Sequence, residues 1–278
     1  MYFLRHGDET LERVRPREIG RLKCLLLVLS AVALLCLPSG VQAMTAKEIL
    51  DQVAKKNFSE SFRVALTIKT VKGKKTTTNH SLWVMGKIDQ QETKFFIDFE
   101  EPPESKGLRF LIETAPGKEP RSFMFLPVTG KTVPLGMDDT SVDVGGTGLS
   151  VDDLQGFIPK PGEKESILRE EKCNGGDCYI IAIEMAEGKG QRQLWISKED
   201  FLVLKTQQID PRGTVVRTFQ VTEFYKTDQG KQFPREEEIT IPSRKVRIVI
   251  RQEHAVFGIE IPDEVVDPEK FGTFQWKR

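Results

Sequence analysis

The stretch Thr93-Lys94-Phe95-Phe96-Ile97-Asp98-Phe99-Glu100 decides the fold class of this chain. Phe95, Ile97 and Phe99 share one side of a period-two pattern and Phe96 and Asp98 share the other, which is how a strand with a dry face reads. After the Pro102-Pro103 break the pattern resumes with Leu108, Phe110 and Ile112, and again with Phe123 and Phe125 just before Pro127. A glycine-rich segment, Gly145-Gly146-Thr147-Gly148, then leads into a short apolar stretch through Leu149, Leu154 and Phe157 that reads as helical. Almost nothing between residues 93 and 157 can make or break bonds. The stretch suits a container wall better than a catalytic core.

Working outward, Phe62, Val64, Leu66 and Ile68 alternate with polar or small residues, and Val71-Lys72-Gly73-Lys74 turns the chain into a second strand bearing Leu82 and Val84. Later strands are expected at 166–171, 178–185, 192–197, 202–209, 215–225, 235–241 and 245–254. The chain is therefore expected to be mainly β, a curved antiparallel sheet of about eleven or twelve strands rolling into an incomplete barrel. One helix precedes it. Thr45 and Glu48 form a capping box, and Ala46, Ile49, Leu50, Val53 and Ala54 recur at helical spacing up to Asn57, giving an amphipathic helix whose stripe packs on a sheet.

Residues 1–43 read as a secretory signal peptide, with basic residues Arg13, Arg15, Arg17, Arg21 and Lys23, then an apolar run over 24–37, then helix breakers and small residues. The run is shorter than the roughly 20 residues that span a bilayer, which disfavours an uncleaved anchor. Cleavage is expected between Ala43 and Met44, placing a single domain of 44–278 in the periplasm. Leu35, standing before Cys36, argues against acylation there. Once the leader is gone, 35 basic and 37 acidic residues remain, a near-neutral balance that does not fit a nucleic-acid binder. Cys173 and Cys178 flank Asn174-Gly175-Gly176-Asp177, a turn sequence. In an oxidising compartment they can form a structural disulfide clip, and with no nearby His they make a weak redox or metal pair.

Little else offers chemistry. His80 and His254 lie inside strands without Cys, His or paired carboxylates at ligand spacing, so each is expected on a solvated strand face, and neither a metal nor a cofactor is expected. The 145–148 glycines lack the Lys-Ser/Thr that completes a phosphate loop. Ser150 is in no nucleophile elbow, and Asp152-Asp153 suits the first turn of a short helix. Seventeen Phe against three Tyr and three Trp leave most rings without a polar handle, which fits a wall facing hydrocarbon as well as an ordinary core.

Several runs carry a family resemblance: residues 99–111 (Phe99-Glu100-Glu101-Pro102-Pro103 through Phe110-Leu111), 123–127 (Phe123-Met124-Phe125-Leu126-Pro127), 148–154, 194–201 and 213–218. Together they resemble the outer-membrane lipoprotein-sorting, LolA-like family of Gram-negative periplasmic proteins, in its longer, divergent branch, over residues 46–271. The resemblance implies an incomplete barrel whose apolar hollow shelters acyl chains. Its lining would come from Phe62, Val64, Leu66, Leu82, Val84, Phe95, Ile97, Phe99, Leu108, Phe110, Ile112, Phe123 and Phe125, and its helical lid from Leu149, Leu154 and Phe157. Relatives latch the lid with an Arg. Arg109 and Arg121 are candidates here, and neither sits in a motif that assigns the role. Gly145, Gly146 and Gly148 would supply the lid hinge through their φ freedom.

The expected function is a monomeric periplasmic carrier of lipoprotein acyl chains or another envelope lipid, loaded by an inner-membrane donor complex or exporter and relieved by an outer-membrane acceptor. A sensor module on the same scaffold, of the anti-sigma-factor-regulator type, is the alternative. An envelope hydrolase lacks its nucleophile and base.

Overall fold

In the computed structural model, which describes residues 43–57, 60–89, 92–115, 118–135, 143–150, 153, 159–173, 176–226 and 232–275, helix α1 (Ala46–Asn57) begins at the capping box. The Thr45 N–H and hydroxyl donate to Glu48 Oε2 at 2.8 and 2.9 Å, and the Glu48 N–H donates back to Thr45 Oγ1 at 3.2 Å. The segment expected to be a signal peptide, apart from Ala43, and the expected lid residues Leu154 and Phe157 lie outside the described residues.

Thirteen strands follow: β1 (Phe62–Lys72), β2 (Lys75–Ile88), β3 (Thr93–Glu101), β4 (Arg109–Thr114), β5 (Arg121–Leu126), β6 (Lys131–Leu135), β7 (Lys164–Cys173), β8 (Gly176–Glu184), β9 (Gln191–Ser197), β10 (Val203–Ile209), β11 (Val215–Lys226), β12 (Gln232–Ile241) and β13 (Val246–Phe257). All fall within one compact unit, 44–278. They form one open antiparallel sheet in the order β6-β5-β4-β3-β2-β1-β13-β12-β11-β10-β9-β8-β7. The count exceeds the expected eleven or twelve because β6 gives no strand signal: Pro134 interrupts it, and proline is tolerated there because β6 is an edge. Two meanders, β1 to β6 and β7 to β13, are joined where β1 pairs with β13 from Phe62↔Phe257 to Lys72↔Val246.

The register sorts the strands into two faces. Leu82 pairs with Leu66 and Phe99, Ile97 with Val84 and Phe110, and Ile250 with Ile68, so these side chains share the inner face. Leu135 on β6 and Arg192 on β9, strands far apart in the sheet order, line the same hollow. The sheet is therefore curled around that face. Helix α1 covers one wing of it, burying Ile49, Leu50 and Val53 against Ile181, Ile183, Leu194, Ile196 and Val203.

The outer face of β2 to β5 is sealed by the C-terminal tail. Met85, Phe96 and Leu111 pack there with Ile261, Val265, Val266 and Phe271, and Phe123 and Phe125 join them. This corrects the expected cavity role of Phe123 and Phe125. On β5 it is Met124, the residue between them, that pairs with Phe110 and packs inward. Both faces of this strand are covered, so apolar residues occupy both parities and alternation alone could not choose between them.

Arg109 holds the tail. Its Nη1 donates to the carbonyls of Phe271, Gly272 and Phe274 at 3.0, 2.8 and 2.9 Å, while Nε pairs with the buried Asp98 at 3.2 Å. The group serves the outer face and is not a lid latch. Arg121 is likewise placed elsewhere, in an ion pair with Glu113 at 2.6 Å. Cys173 and Cys178 form the disulfide across the β7–β8 hairpin.

Removing Arg109 would strand a buried carboxylate and three carbonyls. Arg109→Met should cost roughly 3–5 kcal/mol in chemical denaturation. Arg247→Ala, which breaks an exposed pair with Glu238, should cost under about 1 kcal/mol.

Candidate functional site

On its inner face, between β1 to β3 on one side and β9 to β13 on the other, the sheet leaves a cavity of about 600 Å³, within the roughly 300–1,000 Å³ typical of small-molecule sites. Its apolar wall is made by Leu66, Ile68, Leu82, Val84, Ile97 and Phe99 on one side, and by Phe219, Ile239 and Ile250 on the other. Toward β9 to β11 the wall turns polar, with Arg192, Thr206, Gln208 and Arg217. A hydrocarbon body fits the first part and a hydrogen-bonding group the second.

Between β6 and β7, the two opposite edges, the described residues 143–150 plug one end of the hollow. The loop closes on itself: the Val144 N–H donates to the Leu149 carbonyl at 2.8 Å, and the Gly148 N–H donates to Asp143 Oδ1 at 2.8 Å. Thr147, fully buried, receives at its carbonyl the Thr70 hydroxyl at 2.6 Å. Val144 and Leu149 are buried in the main inner cluster. Gly145 has φ +66, and a Cβ there would stand 2.7 Å from the Phe99 ring; at Gly148, φ +80, it would stand 3.1 Å from Ile248. Glycine is what lets the loop seat this deeply.

An arginine does reach the segment expected to form a lid, and it is one that the sequence did not single out. Arg217, projecting inward from β11, donates to the Gly148 carbonyl at 3.4 Å and pairs with Asp153. The same Asp153 carboxylate accepts from the Ser150 N–H and hydroxyl at 2.6 and 2.7 Å, and the Asp153 N–H donates back to Ser150 Oγ at 3.4 Å. Further round, Arg192 pairs with Glu163.

His80 is not solvated as expected. It is 2% exposed and lies edge-on to Phe99 under the glycine loop, and burial holds its pKa below the usual imidazole value. His254 is exposed, as its strand position suggested.

Glu237 lines the same hollow from β12. Its neighbours in sequence are bound on the outer face, Glu236 to Arg251 and Glu238 to Arg247. Glu237 points the other way, in register with Ile250 and beside Ile239. Desolvation alone pushes its pKa up to about 7. The residue as a whole is half-buried.

A family model described as an uncharacterized protein-like family matches residues 91–272, about two thirds of the chain. The chain belongs to that family. Its fold is LolA-like. It superposes on a domain from Vibrio parahaemolyticus described as an outer membrane lipoprotein-sorting protein, with a TM-score of 0.72 and 14% identity, covering 81% of this chain and 97% of that one. A DUF1329 family protein from Desulfovibrio piger gives 0.70 and 16%, covering 80% and 97%. A LolA superfamily protein from Nitrosomonas europaea gives 0.60 and 17%, covering 81% and 98%. No curated protein matches the chain by sequence.

Of the lining expected in this LolA-like chain, Leu66, Leu82, Val84, Ile97 and Phe99 face the cavity, and Leu149 closes it. Phe95, Leu108, Phe110 and Ile112 pack in the adjoining inner cluster instead. Phe62 lies tilted against the rings of Phe95 and Phe257, and Val64 is buried. The contribution of the second meander, Phe219, Ile239, Ile250, Arg217 and Glu237, was missed. Parity held the signal: residues 237, 239 and 241 alternate inward together.

Glu237 predicts a pH signature. Its folded pKa lies above its ordinary value of 4.5, so the stabilisation from the bound proton is complete below about pH 4.5 and lost as pH rises through about 7. Against Glu237→Gln as the pH-flat reference, the native chain should lose up to about 3 kcal/mol between pH 5 and 8 in urea unfolding. Parallel curves for the two proteins would contradict this.

Proposed function

We propose that the protein is a periplasmic carrier that shelters the acyl chains of lipoproteins, or of another envelope lipid, in the inner cavity during transfer toward the outer membrane. The observation that carries this reading is the hollow itself: a curled sheet whose centre is lined by aliphatic and aromatic side chains and left unfilled by α1 and the 143–150 loop. The likeness of fold to the Vibrio parahaemolyticus lipoprotein-sorting domain supports it. In this reading residues 1–43 are removed between Ala43 and Met44, and 44–278 works as a single, monomeric incomplete barrel. An inner-membrane donor complex or exporter loads it, and an outer-membrane acceptor empties it.

Burial of a dozen methylenes at about 0.8 kcal/mol each supplies roughly 10 kcal/mol of gross drive, so release needs an acceptor or a lid that opens. The lid comprises Leu149 with Leu154 and Phe157, hinged at Gly145, Gly146 and Gly148. The Arg217–Asp153 pair holds it shut. Protein purified from membranes without harsh detergent should carry acyl lipid detectable by mass spectrometry, and a lipid-free preparation would count against the carrier. Leu66→Trp, which fills the hollow, should weaken uptake of a fluorescent acyl probe by about tenfold or more while the circular dichroism spectrum stays native. Phe157→Asp should also abolish uptake; unchanged uptake would remove the lid from the mechanism.

A further inference from the structure

A carrier for plain hydrocarbon has no use for a carboxyl in its wall. Glu237 stands there between Ile239 and Ile250, both of which line the cavity. Among the described residues nothing donates a hydrogen bond to it. Of the cationic groups that line the cavity, Arg217 pairs with Asp153, Arg192 with Glu163 and Lys189 with Glu187. A half-buried carboxyl that desolvation disfavours, with no protein donor, is costly. A ligand that brings a donor to this point removes the cost, and one that brings a second carboxylate adds repulsion to it.

We propose that Glu237 is a ligand-binding residue that accepts a hydrogen bond from a hydroxyl or ammonium group on an otherwise apolar cargo, making the cavity selective for lipids that carry such a donor. The inference rests on the carrier reading and names the class of lipid that reading leaves open. Its depth in the fold supports the same assignment, since burial raises the carboxyl's affinity for a shared proton.

The test is displacement of a neutral fluorescent probe, 1-N-phenylnaphthylamine, from the mature protein at about pH 8, where palmitate and most of Glu237 are ionised. Cetyl alcohol, cetylamine and palmitate are the competitors. The native protein should favour the alcohol or the amine over palmitate by about tenfold or more. Glu237→Leu should take up the probe and lose that preference. Glu237→Gln separates the two donors: its amide oxygen still accepts from the alcohol, so a preference that survives assigns a hydroxyl, and one lost for the amine alone assigns a cation. Probe uptake with no head-group preference in the native protein, or a preference unchanged in Glu237→Leu, overturns the role of Glu237 and leaves the carrier standing. No probe uptake by the native protein overturns both.

Discussion

The pairing of β1 with β13 is the constraint on which the rest depends. Eleven residue pairs, with one irregularity at Ala65/Leu66, join two meanders that share no other strand pairing among the described residues. Side chains alternate with period two, so a slip of one residue would send Leu66 and Ile68 outward while Ile239 and Ile250 stayed in. The cavity has walls from both meanders because this one ladder is in register.

What is left hollow follows from dimensions. A helix of α1's twelve residues is about 18 Å long, whereas thirteen strands spaced about 4.8 Å apart make a sheet some 60 Å wide. The helix can cover β7 to β10 and no more. The 143–150 loop covers a second area near Thr70, His80 and Phe99, and the curl of the sheet closes round the space between. The outer face of β2 to β5 is treated differently: the tail fills it with Phe271 and is held by Arg109. Over these strands the sheet is packed on its outer side and hollow on its inner side.

The fold was legible wherever a single local rule applied. Period two in residues 93–100 and the Thr45/Glu48 box each name one element, and the turn between Cys173 and Cys178 names a hairpin. Legibility failed where two rules competed. On β5 both faces are covered, so Phe123 and Phe125 read inward when it is Met124 that does so. On β6, Pro134 hid an edge strand. The run Glu236-Glu237-Glu238 reads as a solvated charge cluster, and only the parity shared with Ile239 turns its middle member toward the cavity. Arg217 escaped notice because its partner Asp153 is 64 residues away and no local pattern links them. The inner lining of the first meander was readable from aromatic alternation; that of the second depends on a long-range ladder that no local window contains.

The most direct measurement is photocrosslinking with an acyl chain bearing a diazirine at its methyl end, followed by mapping of the labelled peptides. A chain sheltered between the two meanders should label inner positions from both, at Leu66, Ile68, Leu82 and Val84 and at Ile239 and Ile250. Labels confined to the outer face near Ile261 and Phe271, to the β7 edge at Leu168, or absent altogether would contradict the account.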